Sequence, residues 1–342
     1  TNMFALFLVV FIDLVGFGIV IPLLPFYAEH YQATPDVVTW LLASYSITQL
    51  ISAPILGRLS DQYGRRPIIL LSLMGSVATY LWLGFADSLI VLFLARAFNG
   101  FMAGNIATAF AYIADITTKE NRAKGMGVIG AAFGLGFIFG PAIGGVLAGA
   151  DADSADFATP AFCAALLSFI ALVIAQVKLK ESLSPEIRAK LKENPRKGQW
   201  QSFVDAITRP RLGFLIFFSF ICTFVFAGME TTFAMWTHRA FEWGPLQNGY
   251  LFAYLGLLSA FVQGGLIGRL TKRLGEKTLA LVGTLGLGIG LGLIPLSQST
   301  GFLIFATSIM ALGFALCSPT LSSLISFESA ETERGSVMGA SR

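Results

Sequence analysis

The chain is a succession of long apolar runs, and no other feature restricts its fold so tightly. We read helices at about 3–27, 38–58, 67–86, 88–115, 122–149, 159–177, 211–238, 247–269, 277–297 and 300–327, with an eleventh starting near Ser336. Each run can cross a hydrocarbon core of about 30 Å, which takes roughly 20 helical residues at about 1.5 Å each. Within lipid a backbone must satisfy its own N–H and C=O groups, so such runs are helices rather than loops or open sheet. The composition agrees. Only 13% of residues are charged and 55% are hydrophobic, with a mean hydropathy of +0.72, whereas a soluble domain carries about 25% charged residues. The many Gly residues inside the apolar runs suit close helix–helix contact. The expected class is an all-α integral membrane protein.

The charges that remain are sorted by side. Of the 23 Lys and Arg residues, all but Arg96 and Arg239 fall in the loops after spans 2, 4, 6, 8 and 10 or beside them. The opposite loops carry Glu29, Asp36, Asp87, Asp151, Asp153, Asp156 and Glu242. Basic loops stay on the cytoplasmic side of a plasma (bacterial inner) membrane, so the even-numbered loops and the N-terminus are expected there. The net charge of +3 is too small to suggest nucleic acid. Cys163, Cys222 and Cys317 each sit alone in an apolar run, a pattern of neither a disulfide framework nor a zinc site. No metal or cofactor is implied.

One polar stretch, 178–210, divides the chain. It reads as a cytoplasmic linker, with an amphipathic helix near 184–193, between an N-terminal half at 1–177 and a C-terminal half at 211–342. The second half repeats the first. Gly57-Arg58-Leu59-Ser60-Asp61 aligns with Gly268-Arg269-Leu270-Thr271-Lys272, and Met126-Gly127 aligns with Met338-Gly339. Two parallel six-helix halves related by an axis along the membrane normal form a transporter arrangement. On this repeat the C-terminal half is incomplete, and the rest of span 11 and all of span 12 lie beyond residue 342.

Three ionisable residues stand inside the spans. Asp13 lies roughly ten residues into span 1, about 15 Å deep, and Arg96 reaches a similar depth from the other side. An unpaired charge there costs at least ~2.5–3.5 kcal/mol, so an Asp13–Arg96 ion pair is expected. It reads either as a proton-sensitive pair at a substrate cavity or as a static tie between helices. Gly16, Gly18, Pro22 and Pro25 follow Asp13 and loosen that helix. Glu230, in Gly228-Met229-Glu230-Thr231-Thr232 of span 7, suits a cation or a proton, or else is a rim residue bonded to Thr231, Thr232 or water. Gln49 in span 2 and Asn105 in span 4 read as ligand contacts or as glue between helices.

Two further patterns are dense. Gly57, Asp61, Gly64, Arg65 and Arg66 fall in the compact loop Gly57-Arg58-Leu59-Ser60-Asp61-Gln62-Tyr63-Gly64-Arg65-Arg66-Pro67 between spans 2 and 3, and Asp115 ends span 4 beside it. The acids among these arginines point to a latch between helices that slide. In span 5, Gly130-xxx-Gly134-x-Gly136-xxx-Gly140-Pro141-xx-Gly144-Gly145 makes a flat face for close packing, with Gly140-Pro141 as a kink.

Together these motifs resemble the drug:proton antiporter branch of the major facilitator superfamily, and most of all tetracycline-efflux transporters. The motifs that carry the likeness are Asp13-xx-Gly16-x-Gly18-xxx-Pro22-xx-Pro25, the Gly57–Pro67 loop, Arg96-xxx-Gly100-xxx-Gly104 and Gly136-xxx-Gly140-Pro141-xx-Gly144-Gly145. The resemblance implies two six-helix halves with pseudo-two-fold symmetry. It further implies that Arg96 takes part in proton coupling, that Asp61 and Arg65 gate the cytoplasmic side, and that Gly140 and Pro141 accompany antiport. Three polar residues of tetracycline exporters are absent: their places hold Thr79, Ser259 and Leu287, and the second-half loop has Lys272 for the acid. The expected function is therefore a proton-coupled efflux antiporter of amphipathic drugs or metabolites, acting as a monomer, with protons and a small molecule as its partners. The alternative is a lipid or organic-ion carrier of the same fold that is not proton-driven. No nucleophile–base set, metal spacing or phosphate loop points to an enzyme.

Overall fold

The computed structural model describes residues 2–103, 105–117, 122–183 and 204–328, without the side chains of 2, 105 and 122–128. The expected helix near 184–193 and the eleventh run from Ser336 lie outside the described residues.

Among the described residues ten helices are long and apolar enough to cross a membrane. They are span 1 (Met3–His30), span 2 (Pro35–Tyr63), span 3 (Arg65–Gly84), span 4 (Leu89–Ile116), span 5 (Ile129–Ala148), span 6 (Ala158–Lys178), span 7 (Pro210–Phe241), span 8 (Pro245–Leu274), span 9 (Glu276–Leu296) and span 10 (Thr300–Glu328). Local sequence explains most of their ends. Spans 2, 7 and 8 begin on Pro35, Pro210 and Pro245, where a missing N–H costs nothing. Spans 2 and 3 meet at Gly64, and spans 8 and 9 at Gly275, both with positive φ (106° and 76°), a conformation Gly adopts without strain. Asp156 caps span 6: its carboxylate accepts from the amides of Ala158 and Thr159, both at 3.0 Å.

Three spans are interrupted, among them span 4, whose helix stops at Met102 and resumes at Asn105. Span 1 tightens to a 3-10 turn at Ile21–Leu23, where Pro22 withdraws a donor. Span 8 widens to a π segment at Val262–Leu266, over Gly264 and Gly265. The proline of the span 5 motif, Pro141, lies inside a continuous helix.

The described chain gathers into two compact units, one of residues 1–196 with 234–253, the other of 197–233 with 254–342. In the first unit span 1 packs on spans 5 and 6, span 3 on spans 4 and 6, and span 2 on span 4. Its apolar core lies in two layers. One contains Leu6, Val9, Ile69, Leu73, Ala171 and Ala175; the other contains Val15, Ile19, Tyr80, Leu83, Ala161 and Ala164. Between them each of three spans carries one polar residue at the same level: Asp13, Ser76 and Ser168. In the second unit spans 9 and 10 make the most extensive contact. There the glycine run acts as packing, since a Cβ on Gly283 would meet Cys317 N at 2.6 Å. Phe214, Phe217, Phe220 and Phe224 of span 7 are exposed, as suits side chains that lipid solvates.

Candidate functional site

The polar level of the first unit is built from four helices. Ser168 Oγ donates to Asp13 Oδ1 at 3.3 Å, and Ser76 also addresses that carboxylate. Arg96, only 5% exposed, does not join them. Its guanidinium carbon lies 4.1 Å over the Tyr45 ring and 5.4 Å from the centroid of Phe17. The expected Asp13–Arg96 ion pair is thus not formed. The aromatic pair Phe17–Tyr45, with centroids 5.0 Å apart, offers the cation a face, and the serines take the carboxylate. Arg96 Nε has no hydrogen-bond partner among the described residues. Beside it lies a void of about 10 Å³ lined by Thr79, Tyr80, Leu83, Ala95, Arg96 and Asn99. Asn99 Nδ2 donates to Thr79 Oγ1 at 2.7 Å, which occupies the position where the resembled exporters have an acid.

The expected loop between spans 2 and 3 is a helix–Gly64–helix junction, since span 2 runs on to Tyr63 and span 3 starts at Arg65, and its polar contacts are equally well defined. Arg65, 2% exposed, pairs with Asp61 at 2.7 Å and with Asp115 at 3.1 Å, and Nη1 donates to Ser60 Oγ at 2.6 Å. Arg66 leaves this group and donates to the Gln176 carbonyl of span 6 at 2.7 Å. Sequence reasoning missed Glu181, just past span 6. Its Oε1 accepts from the Arg65 amide at 2.9 Å and its Oε2 from the Arg66 amide at 3.1 Å. A carboxylate thus caps the N-terminus of span 3, where the helix dipole favours it. Ser182 joins the group by donating to Asp115 at 3.1 Å. Gly64 leaves room for this cap, since a Cβ there would run into the Glu181 carboxylate. An acid following the last apolar residue of span 6 was the available signal. Gly57 has no contact of this kind, for a Cβ there would find nothing within 4 Å.

The span 5 glycines have two roles. Gly136, Gly140 and Gly144 lie against the backbone of span 1 at Leu14, Gly18 and Ile19. Gly145 lies against Pro245, Leu246 and Gly249, at the start of span 8. Close by, the Leu246 amide donates to the Gly149 carbonyl at 3.1 Å, and Arg239 pairs with Glu29 at 2.7 Å.

The remaining predicted residues scatter. Gln49 donates to the Ala103 carbonyl of span 4 at 3.3 Å and so ties two helices. The Asn105 side chain lies outside the described residues. Glu230 is partly buried, and the flanking Thr231 and Thr232 hydroxyls donate to the Gly228 carbonyl at 3.0 and 2.9 Å rather than to it. Two of the three cysteines are not alone: Cys222 of span 7 and Cys317 of span 10 hold their sulfurs 3.6 Å apart, which single runs of sequence do not reveal.

The family model of the Major Facilitator Superfamily matches residues 6–342. The chain belongs to this superfamily. It is 30% identical over 331 residues to the tetracycline resistance protein, class B, of Escherichia coli, across 96% of this chain and 80% of that protein. It is 30% identical over 333 residues to multidrug resistance protein 2 of Bacillus subtilis (strain 168), across 96% of this chain and 81% of that one. Among solved structures it is similar to the human organic anion transporter MFSD10 (TETRAN). That likeness has 27% identity and a TM-score of 0.71, covering 99% of this chain and 88% of the other. The protein is therefore a multi-pass membrane transporter of small molecules, related to drug-efflux proteins.

Proposed function

We propose that this transporter is a proton-coupled efflux antiporter of amphipathic drugs or metabolites. It works as a monomer in the bacterial inner membrane with its N-terminus in the cytoplasm. The observation that carries this is Asp13, a carboxylate set between two apolar layers with hydroxyl partners and no cation paired to it. A carboxyl group so placed is suited to take up and release one proton per cycle. The efflux relatives supply the direction and the class of cargo. Arg96, seated on the Tyr45 ring that also faces Asp13, shares the coupling role. Glu230, with no hydrogen-bond partner among the described residues, is the carboxylate we assign to cationic cargo, with Gln49 and Asn105 as polar contacts. The group of Asp61, Arg65, Arg66 and Asp115 around Gly57 and Gly64 is the cytoplasmic latch. The glycines from Gly136 to Gly145 with Pro141 hold the opposite end closed.

The test is transport of ethidium and tetracycline by the full-length protein in proteoliposomes under an imposed pH gradient. Asp13→Asn is expected to abolish uphill movement while exchange without a gradient continues. Uphill accumulation at the wild-type level in Asp13→Asn would sink the proton role. A second reading, a carrier of organic ions without proton drive, is favoured by one observation: Arg96 is a buried cation with no carboxylate paired to it. It predicts carboxyfluorescein movement that ignores the pH gradient.

A further inference from the structure

The Arg96 guanidinium does more in this structure than fill space. It rests on the Tyr45 ring of span 2, with Phe17 of span 1 as the second aromatic of the seat. Phe17 and Asp13 are four residues apart on one helix, and residues so spaced are neighbours about 5–6 Å apart at Cβ. A cation over Phe17 is therefore one helical turn from the Asp13 carboxylate, well within the sweep of an arginine side chain. Its Nε is unpartnered, and a small void lies beside the group. Among the described residues, the two rings are the contacts that hold its guanidinium.

We propose that Tyr45 is a positioning residue for ion coupling: its ring is one of two seats for Arg96, the other being the Asp13 carboxylate. This rests on the proton-coupled reading above. When Asp13 carries its proton, the carboxyl is neutral and content with Ser168 and Ser76, and Arg96 sits on Tyr45. When Asp13 is ionised, a charge-assisted pair outcompetes a ring face, because a cation–π contact is worth about 2 kcal/mol when desolvated and a buried charged pair more. Arg96 then leaves span 2 for span 1. The groups that face Asp13 are Ser168 from span 6, Ser76 and Tyr80 from span 3 and Tyr45 from span 2, and Tyr45 and Tyr80 face Arg96 of span 4 as well. Span 5 presents Gly136 and Phe137, which do not titrate. The choice of seat therefore depends on one proton, and it changes which helix span 4 is tied to.

The test separates ring face from bulk. Tyr45→Leu, Tyr45→Phe and Tyr45→Trp are compared for pH-gradient-driven ethidium uptake and for gradient-free exchange in proteoliposomes. Tyr45→Leu is expected to lose about tenfold of the driven uptake and keep exchange, and the Phe and Trp variants to restore what Leu loses. In detergent, thermal unfolding of Tyr45→Leu, Arg96→Gln and the double variant is expected to be non-additive, the second change costing little once the first is made. The non-additivity is expected to persist in the Asp13→Asn background, where the second seat is neutral. Driven uptake at the wild-type level in Tyr45→Leu, failure of Phe and Trp alongside Leu, or additive melting shifts would each overturn the proposal. A wild-type protein whose ethidium uptake ignores the gradient would remove the proton reading itself and with it the second seat, while the melting cycle would still report on the first.

Discussion

Adding one methyl group to Gly140 asks whether spans 1 and 5 are packed backbone to backbone. A Cβ at this position would lie 2.6 Å from Gly18 Cα, 2.7 Å from Gly18 C and 2.9 Å from Ile19 N. Carbon atoms in contact sit about 3.5–4.0 Å apart, so the methyl intrudes by roughly 1 Å. The atoms it meets are main chain and have no rotamer to change. Overpacking of this kind costs about 1–3 kcal/mol, and Ala regains about 0.5–1 kcal/mol of helix propensity over Gly. Gly140→Ala is thus expected to lose up to about 2.5 kcal/mol of stability, roughly 1 kcal/mol at mid-range, a fall of a few °C in melting temperature. Gly130 and Gly134, in the same glycine series, are the controls: a Cβ at either finds nothing within 4 Å. Gly130→Ala and Gly134→Ala should melt at or slightly above wild type. Loss of the folded protein's elution peak after heating reads the transition. Wild-type melting in Gly140→Ala, or equal losses in all three variants, would refute the packing argument.

Three more expectations follow from single contacts. Glu181→Ala leaves the Arg65 and Arg66 amides without their acceptor and should cost about 0.5–2 kcal/mol, as loss of a helix cap does; hydrogen exchange at those two amides should rise, and unchanged exchange would count against the cap. Cys222 and Cys317 should be oxidised to a disulfide by membrane-permeant iodine in the folded protein, the two thiols losing their protons and iodine leaving as two iodide ions, while Cys163 remains free to alkylate, checked by intact mass; a protein that forms the bond only after denaturation would contradict their 3.6 Å approach. Asp156 is held below the usual carboxylate range by the Thr159 hydroxyl and amide, so its ionised form adds stability above a pH of about 4. That contribution disappears as the pH falls through its lower folded value, and Asp156→Ala should therefore melt below wild type at neutral pH and alongside it in strong acid. A gap that persists in acid would show that the carboxylate charge is not the cause.

The polar and backbone contacts of the first unit fall into two groups. Here the backbone contacts of Gly136, Gly140 and Gly144 with span 1, of Gly145 with the start of span 8, and the Glu29–Arg239 pair lie towards the same end of span 5. The Arg65 cluster lies at the other end of the bundle, where spans 2 and 3 meet.

Ten spans, their helical state and the superfamily were legible from the chain alone, because each depends on local properties. Length and apolarity decide whether a run crosses a bilayer, and the Gly57–Pro67 loop and the Gly140-Pro141 motif are contiguous. Asp61 and Arg65 are four residues apart in one contiguous motif, so their membership of one cluster was legible too, although Gly64 puts them on different helices. Contacts across helices were not. Whether Arg96 meets Asp13 or Tyr45 depends on which faces of spans 1, 2 and 4 turn inward, and all three residues have the right depth. Glu181 caps an amide 116 residues earlier in the chain, and nothing near either partner announces the other. Gly130 and Gly140 read alike in sequence, yet only Gly140 has a neighbouring backbone against it. Periodicity tells a helix which side is apolar; only the packed bundle determines which atom of another helix stands opposite.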